Sequence, residues 1–215
     1  MKVKWLGHAS FLITSQDGAK IITDPYSTGM GIDYGEIKEA ADVVLISHEH
    51  PDHNNVKAVK GNPQAIASPG TKTAKGIEFK GIATFHDESQ GKERGPNTAF
   101  TFTVDGVKAC FLGDLGHQLT GEEAGQIGKI DILMIPVGGF YTVDAANATK
   151  ICDALKPKVV IPMHFKTDKC AYPIATVEDF LKGKNNIRRE KTSEVTFSKD
   201  KLPSATEILV LQSAL

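Results

Sequence analysis

The chain has 215 residues, 40% of them hydrophobic and 24% charged, with a formal net charge of −1. That length suffices for one well-buried core, and the near-neutral balance supplies no general pull toward nucleic acid or an anionic membrane. No apolar run approaches the ~20 residues of a membrane span, and Met1 to Trp5 lacks a signal-like apolar stretch. The expectation is therefore a cytoplasmic protein with one domain over residues 1–215. Cys110, Cys152 and Cys170 are odd in number and widely spaced. Cys110 and Cys152 fall in apolar runs and read as small core residues, Cys170 as a free thiol in a polar loop, all suited to a reducing compartment.

In chain order, Lys2 to Leu6, Phe11 to Thr14 and Lys20 to Thr23 read as strands, the last two joined by a turn at Asp17-Gly18. Glu36 to Ala40 has a short helical pattern. Asp42 to Ser47 is a β-branched apolar run that reads as a buried strand, and Asn54 is placed to cap a brief helix through Val59. Strands follow at Gln64 to Ser68, Ile77 to Phe79, Gly81 to Phe85, Ala99 to Val104 and Val107 to Leu112, with a clear turn at Asp105-Gly106. Helices then enter. Thr120-Gly121-Glu122-Glu123 is a capping box. Val143 to Leu155 has helical periodicity, with Val143, Ala146, Ile151 and Leu155 on one face, and Val177 to Lys182 is a further helix. Between and after them lie strands at Asp131 to Ile135, Lys158 to Pro162, Glu194 to Phe197 and Glu207 to Leu211. The basic stretch Lys182 to Lys201 reads as solvated surface. Asp42-Val43-Val44-Leu45-Ile46 and Asp131-Ile132-Leu133-Met134-Ile135 echo one another, as two related halves would.

The stretch that carries chemistry is His48-Glu49-His50-Pro51-Asp52-His53, at the end of the buried strand. Three imidazoles and a carboxylate in six residues make a poor core and a good metal site. His48 and His50 point to one side of extended chain, whereas Asp52 and His53 diverge after Pro51 turns it. That spacing suggests two neighbouring ions, the first pair on one and the second pair on the other.

The pattern His-x-His-x-Asp-His after a strand resembles the signature of the metallo-β-lactamase superfamily. Other superfamily motifs have counterparts in order, each at the end of an expected strand: Asp24, His86, Asp114 in Phe111-Leu112-Gly113-Asp114, and His164. Trp5-Leu6-Gly7-His8-Ala9-Ser10 and Pro136-Val137-Gly138-Gly139-Phe140-Tyr141 are similar to the branch of metal-dependent hydrolases near the L-ascorbate-6-phosphate lactonases. The resemblance implies an α/β (α+β) fold, an αββα four-layer sandwich with the metals at one edge. It implies the ligands His48, His50, Asp52, His53, His86, Asp114 and His164 for two divalent ions, zinc first, with manganese or iron as alternatives. Asp24 would orient the ligand loop. His8 and His117 are left over, as supporting or substrate-facing groups, and Asp52, Asp114 and His117 are the candidate catalytic residues.

Two cations ~3.5–4 Å apart can share a water and lower its pKa from ~15.7 toward ~7, so that a metal-bridged hydroxide is the nucleophile. A Gly-x-Ser-x-Gly elbow is absent, which disfavours a covalent serine hydrolase. The superfamily's flavodiiron branch carries Glu where this chain has His50, so the resemblance favours hydrolysis over redox chemistry. The expected reaction is hydrolysis of a lactone or a carboxylic or phosphate ester in a small metabolite. The alternatives are a phosphodiesterase like the phospholipase D-type enzymes acting on N-acyl phosphatidylethanolamines, and a non-enzymatic metal-binding protein. A small-molecule substrate is expected rather than nucleic acid or membrane, and a homo-oligomer is compatible. The polar loop Gln90 to Asn97 is placed to overhang the metals, where Arg94 could pair with a phosphate; Phe140 and Tyr141 could line the pocket.

Overall fold

The structure is a computed structural model and describes every residue from Met1 to Leu215. Apolar residues alternate along β7 and β8 and run unbroken along the central β4, β10 and β11, and the chain answers with two sheets packed face to face. The first has six strands: β1 (Lys2–Gly7), β2 (Ser10–Thr14), β3 (Lys20–Thr23), β4 (Val43–Leu45), β5 (Gln64–Ile66) and, beside β1, β13 (Glu194–Thr196). The second has eight, in the order β12 (Ile187–Arg189), β14 (Glu207–Val210), β11 (Val159–Met163), β10 (Ile132–Pro136), β9 (Val107–Phe111), β8 (Pro96–Val104), β7 (Ile77–Phe85) and β6 (Gly70–Ala74). The helices are α1 (Gly121–Ile127), α2 (Ala145–Leu155) and α3 (Val177–Leu181). The mixed two-sheet sandwich expected from the resemblance is the one observed.

The main core fills the space between the sheets and the gap beneath the helices; Phe11, Phe79, Phe100 and Phe111 lie in it with no exposed surface. Each such side chain contributes about 1.5–3 kcal/mol through burial. β4 is buried on both faces: Val43 and Leu45 point into this core, while Val44 joins a smaller cluster with Tyr26, Tyr34 and Ile37 on the outside of the first sheet. A loop forms that outer layer, because residues 36–39 are irregular rather than helical. The turn after Asn54 is a 3-10 turn at Val56–Ala58, and no side chain caps it.

Local signals survive well where both partners are close in sequence. Thr120 and Glu123 form the reciprocal capping box on α1. Asp105 and Gly106 adopt φ of +52° and +76° between paired Val104 and Val107, as a two-residue type I′ hairpin loop requires. Further expectations change. β7 runs unbroken from Ile77 to Phe85 rather than as two strands. The buried face of α2 is Ala148, Ile151 and Leu155, leaving Ala146 exposed. Within the basic stretch, Ile187–Arg189 forms β12, an edge strand parallel to β14, and β6 was not anticipated at all.

The two echoed segments occupy matching places. Asp42 accepts from Lys20 N through Oδ2 (2.9 Å) and donates its own N–H to Lys20 O (2.8 Å). Asp131 does the same with Lys108, at 2.8 Å in both cases. These carboxylates pin the starts of the parallel pairs β3–β4 and β9–β10. The opposite ends of β1, β3, β4, β7, β9 and β11 converge on one edge, with His8, Asp24, His48, His86, Asp114 and His164 at or just beyond them.

Candidate metal centre

The ligand loop is held from beneath by Asp24, which has no exposed surface. Its Oδ1 accepts from Ser47 N (2.7 Å), and its Oδ2 accepts from Ser47 Oγ (2.5 Å) and from His53 Nδ1 (2.8 Å). Those bonds fix the loop's first residue and the tautomer of its last histidine, the bracing role expected of Asp24. His48 Nε2 then stands 2.9 Å from His50 Nδ1.

Asp114 is positioned across the gap by a side chain that sequence reasoning missed. Asn97, on β8, accepts from Asp114 N through Oδ1 (3.0 Å) and donates through Nδ2 to Thr84 Oγ1 (2.7 Å) and Leu112 O (2.9 Å). Two glycines let the loops approach. A Cβ on Gly113 would fall 2.3 Å from Ser47 Cβ, and one on Gly116 would fall 2.3 Å from the His86 carbonyl carbon. Neither neighbour can yield, so both positions require glycine.

Asp114 Oδ2 lies 3.2 Å from His53 Nε2, 3.2 Å from His164 Nε2 and 3.5 Å from His86 Nε2. The structure therefore brings together all seven ligands expected from sequence. Donor atoms of His48, His50 and His86 lie within 4.8 Å of one another, as do those of His8, Asp52, His53 and His164. Burial strips water from the His48 imidazole and pushes its pKa down to about 2, and burial with neighbouring His164 takes His8 down to about 3. Both rings are thus neutral, as metal ligands must be. Burial acts to lower His53 as well, but Asp114, Asp24 and Asp52 surround it and raise it well above its usual value. Burial acts to raise Asp114, yet His164 and His53 hold it well below the carboxylate range.

Metal ions fit this donor set. His53 Nε2 and Asp114 Oδ1 are buried without a hydrogen-bond partner, although each is surrounded by polar groups. Native proteins rarely leave such atoms unsatisfied, and a cation among them removes the deficit. Imidazoles with carboxylates suit zinc and related divalent ions.

A domain description of the β-lactamase superfamily matches residues 2–164. A UPF0173 metal-dependent hydrolase from Archaeoglobus fulgidus is 30% identical over 215 aligned residues, covering 85% of this chain and 90% of its own. A crystal structure from Thermotoga maritima, assigned as a zinc-dependent hydrolase of the metallo-β-lactamase superfamily, superposes with a TM-score of 0.82 at 37% identity, covering 98% of this chain and 97% of that one. The chain belongs to the UPF0173 metal-dependent hydrolases. A second hydrolase structure, from Parabacteroides distasonis, shares the fold at a TM-score of 0.66 and 21% identity.

Outside the ligand cluster, one expectation for this UPF0173 hydrolase needs correction. His117 does not join the site. Its Nε2 accepts from Phe85 N at the β7 end (3.1 Å) and its Nδ1 donates to the neighbouring Gln118 O (2.9 Å), so both nitrogens are already bonded. Arg94, by contrast, lies on the wall of a cavity of about 340 Å³ above the cluster, its guanidinium 5.7 Å from the centre of the Tyr141 ring. Tyr172, which sequence reasoning did not single out, lines the same cavity and donates its hydroxyl to Asp52 Oδ2 (3.4 Å). Phe140 is 64% exposed and lines an adjoining recess with Arg94 and Tyr141. Asp87 was also missed. Its carboxylate accepts four backbone N–H groups, from Ser89, Gly91, Glu93 and Arg94, and thereby shapes the loop that carries Arg94. Desolvation pushes its pKa up, but those amides outweigh it and hold the group at about 2. Cys170 is a free thiol, as expected, and is buried in the outer cluster. No helix in the chain is long and apolar enough to cross a membrane.

Proposed function

We infer that this hydrolase opens a lactone, or cleaves a carboxylic or phosphate ester, in a small anionic metabolite. The observation that carries this reading is the cavity of about 340 Å³, with His50, Asp52, His86, Asp114 and His164 at its base and Arg94 on its wall. That volume suits a small molecule. A guanidinium lying over an aromatic ring, as Arg94 does over Tyr141 at 5.7 Å, can hold a carboxylate or phosphate through its N–H fork. The likeness to the lactonase branch supports the lactone or ester, and a net charge of −1 supports a small substrate over a polyanion.

His48, His50 and His86 would hold one divalent ion, and Asp52, His53 and His164 a second, with Asp114 between them. Zinc matches the nitrogen-rich donors better than manganese or iron. When bound, such a pair activates water and polarises the scissile group as a Lewis acid. The protein's own part is positional. Asp24 and Asn97 fix the two ligand-bearing edges, and Arg94 binds the anionic group. Tyr172 holds Asp52 from the cavity wall.

The test is a hydrolysis screen of lactones, carboxylic esters and phosphodiesters, with and without an anionic group, on zinc- and manganese-loaded protein. Turnover of anionic lactones or esters that falls with Arg94→Ala through KM supports the reading. Turnover of no lactone, carboxylic ester or phosphate ester, or turnover indifferent to substrate charge, overturns it.

A further inference from the structure

His8 is held in place more firmly than a bystander would be. It sits immediately after β1 in the left-handed region, with φ of +51°, and follows Gly7 at φ of +127°. Non-glycine residues persist there only where surrounding structure holds them, and such positions cluster at functional sites. Two bonds do the holding. The His8 carbonyl accepts from Trp5 Nε1 (3.0 Å) and from the backbone N–H of His164 (3.2 Å). One expected ligand is thus tied by its main chain to the residue in question. The ring that results is 1% exposed and lies with its centre 4.2 Å from His164 and 5.0 Å from His53.

The approach of this ring is informative. His8 Nε2 stands 3.2 Å from Asp52 Oδ2, the same oxygen that lies 3.5 Å from His53 Nε2. That shared oxygen places His8 among the other donors rather than apart from them. His8 comes in on their side, and a donor atom of its ring falls within 4.8 Å of those of Asp52, His53 and His164. The Tyr172 hydroxyl donates to the same Asp52 oxygen (3.4 Å), so Asp52 has a hydrogen-bond partner besides His8. His8 Nδ1 has no partner in the protein, so nothing on the far side of the ring recruits it to another task.

We propose that His8 is a direct ligand of the second ion, completing its shell together with Asp52, His53 and His164. Each ion then has three imidazoles, His48, His50 and His86 on one and His8, His53 and His164 on the other, with Asp114 between them and Asp52 on the second alone. The second position becomes rich in protein donors and selects nitrogen-preferring ions such as Zn²⁺ or Co²⁺ over Mn²⁺. The first, with fewer protein donors, is left as the more open of the two toward substrate. The inference rests on the two-ion reading above.

The experiment compares wild type, His8→Ala and His8→Asn, loaded with Co²⁺ and with Zn²⁺ under competition from a chelating dye, with metal content and the visible Co²⁺ spectrum as readouts. Asn can still donate a hydrogen bond toward Asp52 but does not replace an imidazole ligand. The first ion, retained in all three proteins, reports that each is folded. The expected result is that both variants bind the second ion at least ~100-fold more weakly, beyond the ~10–100-fold typical of losing an outer hydrogen-bond partner, and that the second-ion spectrum changes. If His8→Asn binds two ions with wild-type affinity and spectrum, His8 only supports Asp52 and the proposal is overturned while the two-ion reading stands. A wild-type protein that saturates at one ion overturns both.

Discussion

Asp42 and Asp131 pin the starts of two parallel strand pairs with the same pattern of bonds, yet the far ends of those pairs hold their ligands in different ways. In the first half the donors are crowded into one loop, and a single fully buried carboxylate, Asp24, gathers Ser47 and His53 beneath it. In the second half Asp114 and His164 stand alone at separate strand ends. There Asp114 is set by the backbone, through Asn97 and the bare Cα of Gly113. A crowded loop depends on one electrostatic brace, whereas isolated ligands depend on sheet register and close backbone approach. The two halves should therefore fail differently when perturbed.

The largest effect is expected at the group both halves share. Asp114→Asn should lower turnover by on the order of 10³-fold or more, since the amide carries no charge to place between the two proposed ions. Circular dichroism should show the fold retained, and elemental analysis should show reduced metal. Full activity with two ions in that variant would contradict the assignment.

Acidification comes next and acts on both halves at once. His8 and His48 are held at about 3 and about 2 when folded, against ~6.5 when unfolded. Between those values the unfolded chain binds more protons, so this contribution to stability declines as pH falls below ~6.5. His53 works in the opposite sense: raised when folded, it stabilises metal-free protein below ~6.5, and that contribution is lost as pH rises through its elevated value. Metal must displace the His53 proton, so loading near neutrality should release protons and occupancy should fall with acid. Metal content and thermal midpoint, read on the same samples from roughly pH 4 to 8, check both signs.

The two braces sharpen the contrast directly. Asp24→Ala strands His53 Nδ1 and Ser47 N and should destabilise by about 3–5 kcal/mol. Asn97→Ala removes the side-chain partner of Asp114 N and of Leu112 O, at about 1–3 kcal/mol, with a loss of activity of ~10–100-fold. Denaturant unfolding should rank them in that order, and the reverse order would mean that the crowded loop is the sturdier half. The smallest effect belongs to His117→Gln, which removes a support of the β7 end at about 1 kcal/mol and should leave metal content unchanged. A turnover loss larger than about tenfold would return His117 to the chemistry.

What could be read from the sequence follows the same division. The hexad could be singled out because its candidate ligands are neighbours, and Asp24, His86, Asp114 and His164 because each ends a run of strand-like residues that the superfamily pattern also contains. Asn97 was hidden: it reads as one more polar residue before a strand, and its three bonds join β7, β8 and the Asp114 loop, which only the register brings together. His117 misled for the related reason that proximity in sequence to Asp114 says nothing about which way a ring turns after Gly116. β12 was missed because three residues in a basic stretch become a strand only when β14 offers an edge to pair with.

The loop shaped by Asp87 bears on how tightly a substrate can bind. Its backbone is drawn onto a carboxylate within the chain itself, so Arg94 reaches the cavity wall already constrained, with its guanidinium set against Tyr141. The conformational entropy of ordering that loop falls on folding rather than on association. An anionic ligand arriving there meets a rigid receptor, and affinity should respond to the fit of the anion more than to the flexibility of the loop that greets it.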